Sequence, residues 1–205
     1  MWYKLKRIMM RPNGVEKQVR PKKTWTFTYD FVNKTTTQLA NDGWTNASNL
    51  TTWAHWVTAN SWTAIFNQVS WLWTAMTNAN KLKIEYTMYQ WWSNSNNVCW
   101  VTLVTWTDGY TQTGSYSSSS WYGVMCGTNV EIMSGTAAAY NTTGEWTITN
   151  EYDFTTKIAT ANLPNVYSWS ASFTDAMLAT ARTNDTVRIP LWMYRYIKSF
   201  SITIS

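Results

Sequence analysis

The chain is poor in charge, histidine, glycine and cysteine, and each scarcity removes a class of chemistry. Only 13% of its 205 residues are charged, so Thr, Ser and Asn carry the polarity, and those residues favour strands and turns over helices. The single histidine, His55, sits in Trp53-Ala-His-Trp56 with no Gly-x-Ser-x-Gly or other nucleophile setting beside it. It reads as a packing or surface residue. None of the eight glycines forms Gly-x-Gly-x-x-Gly or a Walker pattern, which argues against nucleotide-dependent chemistry. The two cysteines, Cys99 and Cys126, lie in apolar, strand-like sequence and read as buried free thiols. With one histidine and no Cys-x-x-Cys spacing, a zinc site is not expected. No run of about 18 apolar residues could span a bilayer. The N-terminus lacks the apolar core of about 7–15 residues that marks a signal peptide, so synthesis and use without translocation or membrane insertion are expected. No catalytic residue, metal or cofactor is expected either.

What charge there is lies at one end. Lys4, Lys6, Arg7, Arg11, Lys17, Arg20, Lys22 and Lys23 are half of the 16 basic residues and stand against the single acid Glu16. The remaining chain holds eight bases and ten acids. This asymmetry divides the chain into a docking arm, residues 1–23, and one nearly neutral domain, residues 24–205. Pro12-Asn13-Gly14 is a turn signal between Tyr3–Ile8 and Val15–Val19, so the arm reads as a basic hairpin or a loose tail. Its apolar interruptions at Leu5, Ile8, Met9, Met10, Val15 and Val19 favour a protein partner. Trp2, Tyr3 and Trp25 beside the bases keep nucleic-acid contact as the alternative.

The body alternates. Thr24–Phe31 places polar residues and aromatics in strict period two, and Lys81–Gln90 does the same. Val98–Trp106 is apolar nearly throughout and reads as a central strand. Trp121–Ser134, Gly144–Asn150, Tyr152–Thr160, Thr186–Tyr196 and Ile197–Ile204 supply further strands. Asn33–Asn60 reads as loops and short strands, Asp108-Gly109 as a turn, and Thr111–Ser120 as a flexible loop. Phe173–Arg182 is the clearest helix, with Thr174 or Asp175 near its start. Ser61–Ala79 fits either type: Trp62, Ile65, Phe66, Val69, Trp73 and Met76 have helical spacing, whereas Val69–Thr74 has β-type composition. The pattern predicts an all-β fold, an antiparallel β-sandwich of jelly-roll or concanavalin-like type, with one or two short helices and the N-terminal arm.

Two stretches have the composition of a sugar-binding surface, where a pyranose face stacks on an aromatic ring and amides or hydroxyls bond its OH groups. They are Trp91-Trp92-Ser-Asn-Ser-Asn-Asn97 and Ser118-Ser-Ser-Trp121-Tyr122, which make Trp91, Trp92, Trp121 and Tyr122 candidate glycan contacts. Most of the 16 tryptophans must nonetheless be core or interface. Glu151-Tyr-Asp153 projects two carboxylates to one side of a strand, a spacing that suits a cation or a glycosidic bond and is more commonly a solvated strand face.

The run from Lys4 to Pro21, ending in Val19-Arg20-Pro21, resembles leader segments of structural and appendage proteins of tailed bacteriophages and prophages. There a short basic leader precedes a β-sandwich that is often lectin-like. The closing Ile197-Lys-Ser-Phe-Ser-Ile-Thr-Ile204 is similar in a general way to lectin-like and jelly-roll strands. The resemblance implies a non-enzymatic virion structural protein, made in the host cytoplasm, whose arm docks on copies of itself or on other virion proteins. Two alternatives stand beside it: a lectin-like module that binds a cell-surface glycan, and a small-virus coat protein whose basic arm contacts the packaged genome.

Overall fold

The computed structural model describes residues 23–53, 57–90, 98–107, 111–117, 121–127, 135–136, 144–163, 167–192 and 195–205. They form two antiparallel sheets, numbered here in chain order. In the larger, the order is β13 (Tyr167–Ser172), β12 (Ile158–Leu163), β11 (Gly144–Asp153), β5 (Lys81–Gln90) and β15 (Arg195–Ile204). Past β15 the sheet divides. At Ile197 it continues into β3 (Val57–Ala59) and then β2 (Leu50–Thr52), and from Ser199 onward into β1 (Trp25–Asp30). A register shift between Ile197 and Ser199 sets the fork. The smaller sheet runs β10 (Gly135–Thr136), β9 (Trp121–Met125), β8 (Gln112–Ser117), β7 (Thr102–Val104), β14 (Thr186–Trp192) and β4 (Thr63–Gln68), with β6 (Val98–Cys99) pairing the far end of β14. The result is the expected antiparallel β-sandwich.

Alternation decides which residues enter the core. In β1 the exposed Thr26, Thr28 and Asp30 alternate with Trp25, Phe27 and Tyr29, which pack against the core. In β5 the buried set is Leu82, Ile84, Tyr86 and Met88, and in β15 it includes Phe200, Ile202 and Ile204. From the smaller sheet come Ile65, Leu103, Val124, Val187, Ile189 and Leu191. Burying each such aliphatic side chain contributes roughly 1.5–3 kcal/mol, and this hydrophobic contact holds the sheets together. Two polar links cross it. The Tyr152 hydroxyl lies 2.8 Å from the Met125 carbonyl oxygen, to which it donates, and 3.0 Å from that of Gly114. The Asn150 amide donates to the Ser115 hydroxyl, with both residues fully buried. Cys126 is free and buried, as expected, and burial pushes its thiol pKa up to about 12.

Three short helices occupy the connections: α1 (Thr36–Asn41), α2 (Leu72–Thr77) and α3 (Asp175–Ala181). Thr174 caps α3 as expected, its hydroxyl accepting from the Met177 N–H at 3.2 Å. Helix α1 lies where loops and short strands were expected. It is started by a reciprocal capping box in which the Thr35 hydroxyl accepts from the Gln38 N–H and the Gln38 side chain from the Thr35 N–H.

Other expectations are corrected. Thr111–Ser120 is not a loop through its length, because β8 spans Gln112–Ser117 and pairs with β7 and β9. Its inward residues are hydroxyls, Thr113 and Ser115, satisfied by the Gly127 N–H and the Asn150 amide. The break expected at Glu151 falls instead at Phe154–Lys157, where the Asp153 carboxylate accepts from the N–H groups of Thr155 and Thr156. Val98–Trp106 is two pieces, β6 and β7, both on β14. Ser61–Ala79 is strand and helix in succession, β4 then α2. Ile65 faces the core and Phe66 the opposite side, so adjacent apolar residues imitate helical spacing.

Candidate functional site

The two outer faces of the sandwich differ. On the larger sheet the outward side chains stand in cross-strand rows. One row is Asn162, Thr149, Glu85, Ser201 and Thr28, the next Thr160, Glu151, Lys83, Thr203 and Thr26, and a third Thr147, Thr87, Ser199 and Asp30. The residues bond each other. The Thr87 and Thr147 hydroxyls are 3.1 Å apart, and the Thr149 hydroxyl donates to Glu85 at 3.2 Å. Ion pairs join Lys83 to Glu85, Lys81 to Asp153 and Lys198 to Glu145. The Asp153 carboxyl is held below its ordinary pKa, first by the Thr156 N–H and also by the Thr155 N–H and Lys81. Glu151-Tyr-Asp153 thus projects both carboxylates outward, as expected, into a solvated and paired strand face. A shallow groove of about 490 Å³ runs over β1, β5 and β15, lined by Asp30, Glu85, Thr87, Ser199 and Ser201 among others.

The outer face of the smaller sheet carries rings. Inward-facing Thr63, Ile65 and Asn67 of β4 leave Ala64, Phe66 and Gln68 pointing outward. The register places Ala64 beside Pro190, Phe66 beside Arg188 and Gln68 beside Thr186. On the other flank of β14, Thr102 adjoins Arg188 and Val104 adjoins Thr186. Trp62, one residue before β4, is 51% exposed, and its ring centroid lies 6.1 Å from that of the buried Trp100. Trp106, just past β7, is 47% exposed and meets the Phe66 ring at 6.0 Å with planes perpendicular. Each exposed indole is thus braced by a second ring.

The backbone beneath Trp106 is fixed. Its N–H donates to the Asp185 carboxylate at 2.9 Å, the same oxygen accepts from the Thr186 hydroxyl at 2.8 Å, and the Asp185 N–H donates to the Val104 carbonyl. The Arg188 guanidinium donates to Gln112 Oε1 at 2.9 Å, tying β14 to β8 across β7. Gly114 completes the floor. Its φ is +145°, and a Cβ there would lie 2.6 Å from the Val101 carbonyl oxygen, so only glycine lets β8 approach β7 this closely. Thr102, Val104, Gln112 and Thr186 on this side are buried, so what it offers to water is the two half-exposed indoles, Trp62 and Trp106, which suit stacking on a ring compound. Among the described residues no group of three His, Cys, Asp or Glu side chains could hold a metal ion.

Of the residues expected from sequence, Trp121 and Tyr122 open β9, where Tyr122 pairs with Ser117 of β8. Trp91, Trp92 and His55 lie outside the described residues, as do Lys4, Lys6, Arg7, Arg11, Lys17, Arg20 and Lys22 of the arm. Lys23, its last member, places its ammonium 3.4 Å from the Trp25 ring centroid, and Trp25 stacks on Trp71 at 5.3 Å. None of Trp62, Phe66, Trp106 and Arg188 is a site residue in the sequence reading, where Trp62 and Phe66 count only towards a helical spacing. Only their side of the strand distinguishes them, and that requires the register.

This architecture is a legume-lectin-like β-sandwich. It is similar to lectin I from Ulex europaeus in complex with the methyl glycoside of α-L-fucose, at 8% identity and a TM-score of 0.59 over 90% of this chain and 99% of that one. Peanut lectin with a 9-mer peptide is similar at 11% identity and 0.57, over 90% and 98%. A carbohydrate esterase from the Shiga toxin-encoding bacteriophage phi24B is similar at 10% identity and 0.50, over 87% and 100%. No family model matches the sequence, and no curated relative does either. At these identities the likeness establishes the fold alone.

Proposed function

We propose that this protein is a lectin-like, carbohydrate-binding β-sandwich that engages its glycan on the outer face of the smaller sheet. The observation that carries this reading is the pair of half-exposed, ring-braced indoles, Trp62 and Trp106. Exposing indoles is costly where they have no partner, so a rigid aromatic surface marks a binding site. A flat pyranose face stacks on such a ring. The test is a glycan array probed with the full chain and with the Trp62→Ala/Trp106→Ala double variant. Binding to a related set of glycans that the variant loses supports the reading, and binding to none removes it.

A second reading, compatible with the first, makes the domain a virion component anchored by its basic arm. It draws on the charge segregation of residues 1–23 and on β1, the strand next to the arm. Among the described residues β1 pairs on one side only, with β15. Such an edge accepts a strand from a neighbouring subunit. Light scattering after size-exclusion chromatography, on the full chain and on one starting at Thr24, tests it. A defined oligomer that falls to monomer on truncation supports arm-driven assembly, and equal masses overturn it.

A further inference from the structure

We infer that the open edge of β1 is the docking site for the arm of a neighbouring copy, and that residues 3–8 of that arm are the strand it takes; this rests on the reading of arm-driven assembly above. The backbone of β1 is set for it. The Phe31 N–H donates to the Lys198 carbonyl, and the register runs unbroken from Trp25 opposite Ile204 to Asp30 opposite Ser199. Bonded and non-bonded positions alternate along an antiparallel pair, so Trp25, Phe27 and Tyr29 also turn their backbone groups to β15. Thr26, Thr28 and Asp30 turn theirs to the open side, where among the described residues no strand pairs with them. The edge strand of the smaller sheet, β4, is closed from within the chain. There the Thr45 N–H donates to the Phe66 carbonyl and the Asn46 amide to that of Ala64, each at 2.9 Å.

The side chains of β1 define the occupant. Its inward row, Trp25, Phe27 and Tyr29, is only half-buried, whereas the inward row of β5, which has a strand on each side, is fully buried from Leu82 to Met88. Its outward row is exposed and ends in Asp30, whose carboxylate accepts from the Val32 N–H at 2.9 Å and has no lysine or arginine partner among the described residues. Glu85, on the far side of the groove that Thr28 and Asp30 help to line, is already paired with Lys83. A strand that suits both rows is apolar on one side and basic on the other. Tyr3-Lys-Leu-Lys-Arg-Ile8, outside the described residues, sets Tyr3 and Leu5 on one side and Lys4 and Lys6 on the other, the two lysines spaced as Thr28 and Asp30 are. Val15-Glu-Lys-Gln-Val19 fits less well, because Lys17 falls among its valines and Glu16 on the opposite side. The stretch between Ile8 and Lys23 can extend to about 50 Å, enough to reach a neighbouring copy.

Size-exclusion chromatography with light scattering on full-chain variants tests this. Thr28→Pro removes an N–H of the open edge and spares the bonds to β15. Asp30→Lys reverses the charge that faces Lys4 and Lys6, and Leu5→Asp spoils the apolar side of the arm. Any one of the three should lower the mean mass about twofold or more, to that of the monomer. Val15→Asp/Val19→Asp in the other half of the arm, and Glu151→Gln elsewhere on the larger sheet, should leave the mass unchanged. If the chain starting at Thr24 is monomeric while Thr28→Pro and Asp30→Lys keep the full mass, the arm docks elsewhere; the inference falls and arm-driven assembly stands. If Thr28→Pro lowers the mass and Leu5→Asp does not, the edge takes something other than residues 3–8, and the inference falls as well. Equal masses for the full chain and the chain from Thr24 overturn both. Circular dichroism on each variant separates a lost contact from a lost fold, and Asp30→Lys with Leu5→Asp decides the question where Thr28→Pro unfolds.

Discussion

The larger and smaller sheets are built by the same rule and present opposite surfaces. Both alternate a buried residue with an outward one, yet the outward residues of β5, β11 and β15 are hydroxyls and paired charges, whereas those around β4 and β14 include Phe66 and Arg188, flanked by Trp62 and Trp106. On the larger sheet the polar groups are spent on each other, Thr87 with Thr147 and Lys83 with Glu85. Such exposed pairs contribute little stability, about 0–1 kcal/mol each. Such a face is solvated, and the shallow groove over β1, β5 and β15 is lined largely by these polar groups. Beside the smaller sheet two indoles, Trp62 and Trp106, stay about half exposed to water, each against a second ring.

The sharpest way to break this contrast is to exchange the damage. Removing both rings with Trp62→Ala/Trp106→Ala should lower glycan affinity about a hundredfold or more. The triple variant Thr87→Ala/Thr147→Ala/Thr149→Ala on the larger sheet should leave calorimetric affinity within about twofold and cost under about 1 kcal/mol of stability per site. A larger loss from the threonine variant would transfer the site to the other face.

A second comparison sets one glycine from each sheet against the other. Gly114→Ala drives a methyl to 2.6 Å from the Val101 carbonyl oxygen, whereas at Gly144 in β11 the nearest atom is Trp146 Nε1 at 3.9 Å. Both have positive φ, +145° and +156°. Urea denaturation should therefore show a loss of about 3 kcal/mol or more at Gly114, combining strain with steric overlap, and about 1 kcal/mol at Gly144 from strain alone. Equal losses would mean that β8 does not need its close approach to β7.

Smaller effects follow from what joins the faces. Tyr152→Phe removes the hydroxyl that bridges from β11 to the carbonyls of Gly114 and Met125 and leaves buried acceptors behind, for about 1–3 kcal/mol by the same denaturation measurement. Smallest is the acid response. Asp42 has its pKa lowered below 3.8, first by the hydrogen bond from Lys34 and then by that from the Tyr29 hydroxyl. A carboxylate depressed in the folded state contributes stability above its unfolded pKa and loses it as pH falls through the folded one. The melting temperature should therefore drop below about pH 4, and Asp42→Asn should flatten that drop. An unchanged pH profile in the variant would assign the acid response to other groups, Asp153 first among them.

The same two faces explain how much of the molecule could be read from its sequence. Thr24–Phe31 and Lys81–Gln90 were legible because one side of each strand is dry and the other wet, so burial is written as period two. Strand β8 was not, because its buried side uses Thr113 and Ser115, satisfied by partners in residues 127 and 150 that lie far away in sequence. Trp62 and Phe66 were read as one face of a possible helix, since an apolar residue on the outward side destroys the alternation that identifies a strand. The outward Phe66 therefore hid its own strand. The proposed surface draws on separated stretches, near residues 62–66 and 106, and among 16 tryptophans composition cannot say that Trp53, Trp62, Trp73 and Trp106 are the ones that, among the described residues, stay about half exposed.

Strand β15 also sets the timetable of biogenesis. It lies between β5 and β1 and holds both, yet it is synthesised more than a hundred residues after either. A nascent chain lacking residues 195–204 has β1 without its strand partner, the β2–β3 pair without its link to the sheet, and one backbone edge of β5 unpaired. Every copy therefore passes through a stage in which sticky strand edges are present and their partner is not. Such non-local pairing folds slowly. The sheet is therefore complete only once its closing strand has been made.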